Sequence, residues 1–361
     1  MMFKLKYDDF LVYDEATNTY SMSQEQKVRD ETERNHWKTT GLTVLKDWRL
    51  YAMLIPMILV YLLWKYLPMY SLVASFKSGD EAQAIDRDWV GIANFAHLFE
   101  IGGDAVDFWR AFRNTFTLAF YGLLFGFPFP IILALFFNEV RSNIARSVMQ
   151  VCVYLPKFLS TVIVTTLVIS LFKGPTAAGG EMGVVSKFLT YISGADSFIG
   201  NAAAIADKGL IQSTRYFRAI YIVAELWEHG GYDSIVFFAA VIAVSPTSYE
   251  AAQIDGAGKM AQMRYVVLPS ILSTVVIMLI MKMGSLLSIG YEKLWLFCNS
   301  NNSGNYEVAS VVSTLANMWN DKGSVYQGYG VAAEMMNNLI GMILVLGSNF
   351  IARKASDVSL Y

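Results

Sequence analysis

The sequence predicts an all-α, polytopic membrane bundle of about six spans. Three observations carry this. Of the 361 residues, 55% are hydrophobic and 16% charged, whereas soluble domains run at about 45–50% apolar and about 25% charged. Six windows are long and apolar enough to cross the roughly 30 Å of hydrocarbon that takes about 20 helical residues; they lie near 50–75, 113–138, 147–172, 217–244, 265–290 and 328–351. Lysine and arginine cluster beside alternate ends of those windows.

Residues 1–48 are a polar tail rich in charge (Asp8, Asp9, Glu25, Lys27, Arg29, Asp30, Glu31, Glu33, Arg34), and the first apolar run begins only after Arg49. A cleavable signal needs its short apolar stretch near the start, so the tail is expected to be retained and solvated. Ser23 and Gln26 have the spacing that caps a short helix. The membrane domain runs from 49 to 361. Pro56 and Pro68 predict bends in the first span, and Lys65 near its outer end snorkels. The second holds Gly122-x-x-x-Gly126, a helix-packing spacing, then Pro128 and Pro130. The third starts near Ser147 and contains Pro156. The fourth carries Glu225, Glu228, His229 and Asp233, which lower its hydropathy. The fifth starts near Pro269, and the last ends at Arg353 and Lys354.

Orientation follows the basic residues at span ends. Lys46 and Arg49, Arg141 and Arg146, Lys259 and Arg264, and Arg353 and Lys354 all fall on one side if the chain crosses at each window. That side is expected to be cytosolic, with both termini inside the cell membrane. The outer segments are then 76–112, 173–216 and 291–327, rich in aromatics and amides such as Trp89, Trp109, Tyr191, Phe198, Asn299, Asn301, Asn302, Tyr306, Trp319, Tyr326 and Tyr329. Long segments without structure are uncommon in compact domains, so these are expected to fold over the outer mouth. Cys152 falls in or near the membrane and Cys298 outside it, so no bridge is expected. No basic stripe points to nucleic acid.

The most informative segment is SPTSYEAAQIDGAGKMAQMRYVVLP, Ser245 to Pro269. Thr247 with Glu250 has the spacing of a capping box. Gly256 and Gly258 suit a left-handed C-terminal cap. The predicted product is about two turns of helix, too short to be stable alone, whose Tyr249, Ala251, Ala252 and Ile254 need an external surface. Glu250-Ala251-Ala252, three residues, Gly256, nine residues, Val266, one residue, Leu268-Pro269 matches the cytosolic loop motif of ATP-binding-cassette importer permeases. Asp255-Gly256-Ala257 resembles the form seen in sugar permeases of the maltose-transporter type. Pro68-Met69-Tyr70, Trp89-Val90-Gly91, Phe108-Trp109-Arg110, Arg113-Asn114-Thr115, Tyr154-Leu155-Pro156 and Asn349 to Lys354 resemble the polysaccharide and multiple-sugar branch of that family.

The resemblance implies a type I importer permease fold. It also implies oligosaccharide uptake through a pore shared with a related permease in a heterodimer, an external sugar-binding protein and an ATPase pair on the cytosolic face. Glu250, Ala251, Ala252, Asp255, Gly256, Leu268 and Pro269 would be the ATPase-coupling residues. The chain has no G-x-x-x-x-G-K-[ST] phosphate loop, so ATP and Mg are expected on the partner ATPase, with no cofactor held by this chain. A polytopic membrane enzyme and a scaffold subunit without a path are the competing classes; a copurifying ATPase separates an importer from the enzyme.

Within the fourth window, Glu225 shares a helix face with Glu228 and His229, three and four residues on. Charged groups at membrane depth are costly unless they face a cavity or a partner. Three readings stand. In a hydrated sugar path, Glu225, Glu228 and Asp233 accept hydroxyl hydrogens and Trp227 or Tyr232 stacks on a pyranose ring. In a structural network, the acids pair with Lys282 or Lys157. In a metal site, Glu-x-x-x-His supplies ligands; this reading is the poorest, because His36 and His97 lie far along the chain, and no metal is expected. Tyr291, Glu292 and Trp295 read either as an interfacial belt or as a rim touching sugar or the binding protein.

Overall fold

The computed structural model describes residues 11–14, 19–22, 48–78, 88–100, 102–174, 181–192, 209–299 and 305–355. The Ser23–Gln26 cap lies outside them. The chain divides into residues 1–71 and 72–361. In the first unit, strands Leu11–Asp14 and Thr19–Met22 pair antiparallel, Leu11 opposite Met22 and Asp14 opposite Thr19. This hairpin departs from the all-α expectation. Its strands are rich in β-branched and aromatic residues, but four residues each is too short to register as an alternating pattern. The helix Trp48–Tyr61 contains Pro56 in its interior, and the wider turn of backbone at Leu62–Tyr66 follows it.

Among its described residues the second unit is built of helices, with two isolated bridges, Lys77 to Trp89 and Lys173 to Gly209. Gly103–Gly126 and Pro128–Glu139 form one 37-residue apolar run. The joint at Phe127 stays near helical (φ −83°, ψ −46°), and Pro128 takes the first position of the next helix, where its missing N–H is not needed. The third expected span is broken: Asn143–Phe158 and Thr161–Phe172 meet at 98°. Pro156 sits in the tight turn Leu155–Phe158, after which the backbone is extended at Leu159 (ψ 147°) and Ser160 (ψ 139°). The Ser160 hydroxyl accepts the Val162 N–H at 3.3 Å and starts a fresh helix.

The fourth span is the 26-residue helix Phe217–Ile242, about 39 Å long at 1.5 Å per residue. It packs along Pro128–Glu139 and across Asn143–Tyr154. Lys259–Ser270 and Leu272–Gly284 meet at 63°, and Ser324–Ala355 is one 32-residue helix. Among the described residues, three helices can cross a membrane by length and composition, or six if each bent pair is one span. Phe217–Ile242 counts only with its bent partner Pro246–Ile254, because Glu225, Glu228 and Asp233 lower its own hydropathy.

The described parts of 76–112, 173–216 and 291–327 are folded. Their helices, Ala93–His97, Val184–Ile192, Tyr291–Asn299, Tyr306–Ala309 and Val312–Asp321, supply much of the core. Leu210, Ile211, Leu294, Phe297 and Val311 pack with Phe217 and Tyr221 of the fourth span. Leu98, Val312, Leu315 and Trp319 pack with Phe108 and Ala332. Asn114, fully buried, clamps the two layers: its Nδ2 donates to Glu307 O at 2.7 Å and Ser310 O at 3.0 Å, and its Oδ1 accepts from Arg218 Nη2 at 3.1 Å. Thr115 Oγ1 accepts the Val312 N–H at 3.0 Å. Cys152 and Cys298 are both free thiols.

The glycines correct one expectation. A Cβ at Gly122 or Gly126 meets nothing within 4 Å, so this pair opens space instead of packing helices. Close packing falls to Gly231, where a Cβ would lie 2.1 Å from Val153 O. Valine at 231 forces the two backbones apart, at about 1–3 kcal/mol for overpacking. Gly231→Val is expected to lower the melting temperature of the detergent-solubilised protein by several degrees while Gly122→Ala leaves it within a degree or two; thermal unfolding of both variants beside the parent checks this.

Candidate functional site

A cavity of about 580 Å³ opens between Gly103–Gly126, Phe217–Ile242 and the stretch from Lys282 to Lys293. That volume falls within the roughly 300–1,000 Å³ of typical ligand sites. Gly122 and Gly126 form part of one wall, which explains their empty surroundings. Glu225, Glu228, His229 and Asp233 face it because positions three, four and eight apart share one side of a helix. Tyr291 and Glu292 close it from the outer segment.

Of the residues assigned to a path, the cavity thus brings together Glu225, Glu228, Asp233, Tyr291 and Glu292. Trp227, Tyr232 and Trp295 do not line it. Trp227 projects from the opposite side of the helix, 44% exposed. Tyr232 stands one turn beyond Glu228, but its ring turns edge-on to Phe158 at 6.2 Å. Trp295 packs against Tyr291 at 5.8 Å. Neither the Trp227 nor the Tyr232 ring is placed on the wall of this cavity.

The decisive contact is one that sequence reading missed. Lys293 projects into the base of the cavity and ion-pairs with both Glu225 and Glu228. Lys293 and Glu228 are almost wholly buried, at 4% and 3% exposure. Thr161 Oγ1 donates to Glu228 Oε1 at 3.4 Å, and the Tyr221 ring faces the Lys293 ammonium at 6.0 Å. His229 Nδ1 lies 3.5 Å from Glu225 Oε2. Asp233 approaches Lys282 at 3.9 Å, as one reading expected; Lys157 makes no ion pair with these acids among the described residues. Lys293 was legible in principle. It lies on the stripe of Leu294 and Phe297, and a lysine on the buried face of a nine-residue helix calls for an acid.

Glu225, Glu228 and His229 could also converge on a metal, since one ligand atom from each lies within 4.8 Å of the others. Lys293 places its own cation between the two carboxylates. The acids are thereby neutralised by the protein, and a divalent ion would have to displace a buried ammonium.

The loop helix stands at the far end of the same span, three residues beyond Ile242. It runs Pro246–Ile254 with Pro246 at its first position. Thr247 is therefore already inside the helix, and its hydroxyl meets Ser245 Oγ at 2.7 Å; the expected Thr247–Glu250 capping box does not form. The C-terminal stop does form, at Gly256 alone (φ +75°). Ala257 N donates to Ala252 O at 2.9 Å and Gly256 N to Gln253 O at 3.0 Å, the paired bonds of a Schellman cap. Gly258 has φ −68° and begins the next helix instead.

Tyr249 turns inward onto Val241, Val267 and Ile271, and burial raises its phenol above the ordinary value. Its packing corrects the expectation that it needs an external surface. Glu250, Ala251 and Ile254 remain exposed, Ile254 at 87%. Lys259 ion-pairs with Glu139 and Gln262 Nε2 donates to Ala257 O at 2.8 Å, so the loop is braced on both sides. Leu268 and Pro269 open the short turn before Ile271.

Residues 126–301 match the family of binding-protein-dependent transport system inner membrane components. Protein LplB of Bacillus subtilis is 34% identical over 318 residues, which cover 88% of this chain and 92% of that protein. This chain belongs to that permease family. A second relative, the polygalacturonan/rhamnogalacturonan transport system permease protein YteP of Bacillus subtilis, is 32% identical over 86% of this chain and 90% of its own length. The fold matches a chain from the crystal structure of a bacterial transporter involved in the import of the acidic polysaccharide alginate, with a TM-score of 0.73 and 34% identity over 89% of this chain and 99% of that one. A second structure of the alginate transporter, in complex with its pentasaccharide-bound periplasmic protein, matches equally well at a TM-score of 0.73. The resemblance read from the loop motif holds across nearly the whole permease.

Removing Lys293 leaves two carboxylates facing each other in a buried site, and breaking such a group by deleting one partner costs about 3–5 kcal/mol. Lys293→Ala is expected to yield little folded protein in size-exclusion chromatography. The triple variant Lys293→Met, Glu225→Gln, Glu228→Gln, which removes the charges together, is expected to recover it.

Proposed function

We propose that this chain is one of two permease subunits of an ATP-driven oligosaccharide importer. Its cavity forms half of the sugar path, and its loop helix docks on an ATPase subunit. The observation that carries the reading is the helix Pro246–Ile254, held rigidly from behind while its Glu250-Ala251 face stays uncovered. A two-turn helix with an empty outer face is a contact waiting for a partner, and on a permease that lacks a phosphate loop the partner is an ATPase. Sugar as cargo is supported by the polygalacturonan/rhamnogalacturonan and alginate transporters among its relatives. A sugar-loaded external binding protein is supported by the complex of the alginate system. A related permease in a heterodimer completes the path, with ATP and Mg on the ATPase pair.

In this reading Glu250 presents charge to the ATPase and does not cap its own helix. Gly256 fixes where the helix ends, in a conformation that costs a side-chain-bearing residue about 1–2 kcal/mol. Gly256→Val and Glu250→Lys are expected to leave the permease folded and paired while uptake and binding-protein-stimulated ATP hydrolysis fall together. Proteoliposomes with and without sugar-loaded binding protein measure this; undiminished stimulation in both variants removes the loop from coupling.

The basic residues at alternate span ends support cytosolic termini and a cytosolic loop at 245–264. Glu181, 87% exposed in an outer segment, is then extracellular. A single cysteine placed at Glu181, with Cys152 and Cys298 changed to serine, is expected to react with an impermeant maleimide in intact cells. Reaction only after permeabilisation would invert the topology.

A further inference from the structure

The cavity has a charge balance that bears on its cargo. Four carboxylates line it, Glu225, Glu228, Asp233 and Glu292, against two ammoniums, Lys282 and Lys293. Both ammoniums are already engaged: Lys293 with Glu225 and Glu228, Lys282 with Asp233 at 3.9 Å. No arginine is among the described lining residues, and arginine is the side chain whose planar fork grips a carboxylate through two bonds. What faces an incoming ligand is a surplus of acceptors. Sugar hydroxyls can donate to these oxygens. A uronate carboxylate cannot, and it meets like charge, a juxtaposition that disfavours its entry.

We infer that this cavity selects by charge, admitting uncharged oligosaccharides and holding back uronate-bearing ones. The inference rests on the reading of the cavity as the sugar path. It separates this chain from its relatives, since the matching structure belongs to an importer of an acidic polysaccharide. Glu292 is the residue on which selectivity turns most directly. It is exposed at the cavity wall, and among the described residues it makes no ion pair.

The test uses the complete importer in proteoliposomes, with both permeases, the ATPase and the binding protein. Two oligosaccharides of equal length and linkage are compared, one neutral and one carrying a single terminal uronate, each at a concentration that loads the binding protein equally by equilibrium dialysis. Neutral uptake is expected to exceed uronate uptake by about tenfold or more, the scale on which like-charge juxtaposition discriminates. Glu292→Lys is expected to shrink that ratio severalfold, with the binding protein unchanged. A second permease variant, Gly122→Leu, fills the open wall and is expected to slow both sugars. Equal uptake of the two sugars by the parent, or a ratio unmoved by Glu292→Lys while Gly122→Leu slows both, overturns charge selection and leaves the path in place. Normal uptake of both sugars by Gly122→Leu and Glu292→Lys alike removes the cavity from the path and takes the inference with it.

Discussion

Lys293 is the group on which the inner architecture of this permease depends. Two glutamates one helical turn apart on a membrane helix repel each other and cannot be left dry and unpaired. One ammonium between them satisfies both, but it has to come from another element. Here it comes from Tyr291–Asn299, beyond the span that follows the loop. That requirement fixes the outer helix against Phe217–Ile242, and the fixing draws Leu294 and Phe297 into the apolar cluster of Phe217 and Tyr221. The Asn114 clamp then ties the following segment, Glu307 to Ser310, to the second span. A polar demand on one helix thus organises an apolar core on its neighbours.

Much of this was legible in the chain, for reasons that differ by element. Hydropathy pointed to six windows because burial in lipid demands long apolar runs; among the described residues three helices meet that demand by themselves, and six if each bent pair is one span. It misplaced the start of the second, since Asp104, Asp107 and Arg110 make the first turns of Gly103–Gly126 polar. The third was read as one span containing Pro156, and its 98° break was not foreseen, because a proline removes a hydrogen bond without dictating where the chain goes next. Gly256 was readable as a stop because its backbone need is local. The Thr247 capping box failed for an equally local reason: Pro246 is a better first residue and moves the start of the helix forward. The acids of the cavity were found because charge at membrane depth is conspicuous. Their partner was not, since pairing across 65 residues or more depends on a fold that spacing does not reveal. Gly122 and Gly126 were misassigned because small-residue spacing is the same whether a helix or a void occupies the gap.

Acids and loop helix belong to one continuous piece of chain. Asp233 precedes the end of Phe217–Ile242 by nine residues, and Pro246–Ile254 follows after three more. Tyr249 binds the loop back onto Val241 of that same span. A push on the loop helix is therefore a push on the end of a rod whose middle carries the cavity's charges, with no flexible linker between them to absorb it.

The two glycines of the second span give the chamber a separable anatomy. Its floor is electrostatic and crowded, every cation already engaged; the wall at Gly122 and Gly126 is bare, bounded by hydrogen atoms that touch nothing. Bore and polarity therefore reside on different helices and can drift independently. A lineage of such permeases can widen or narrow the chamber by trading single small residues on one helix, while the ionic lattice that keeps the other helices in register stays as it was.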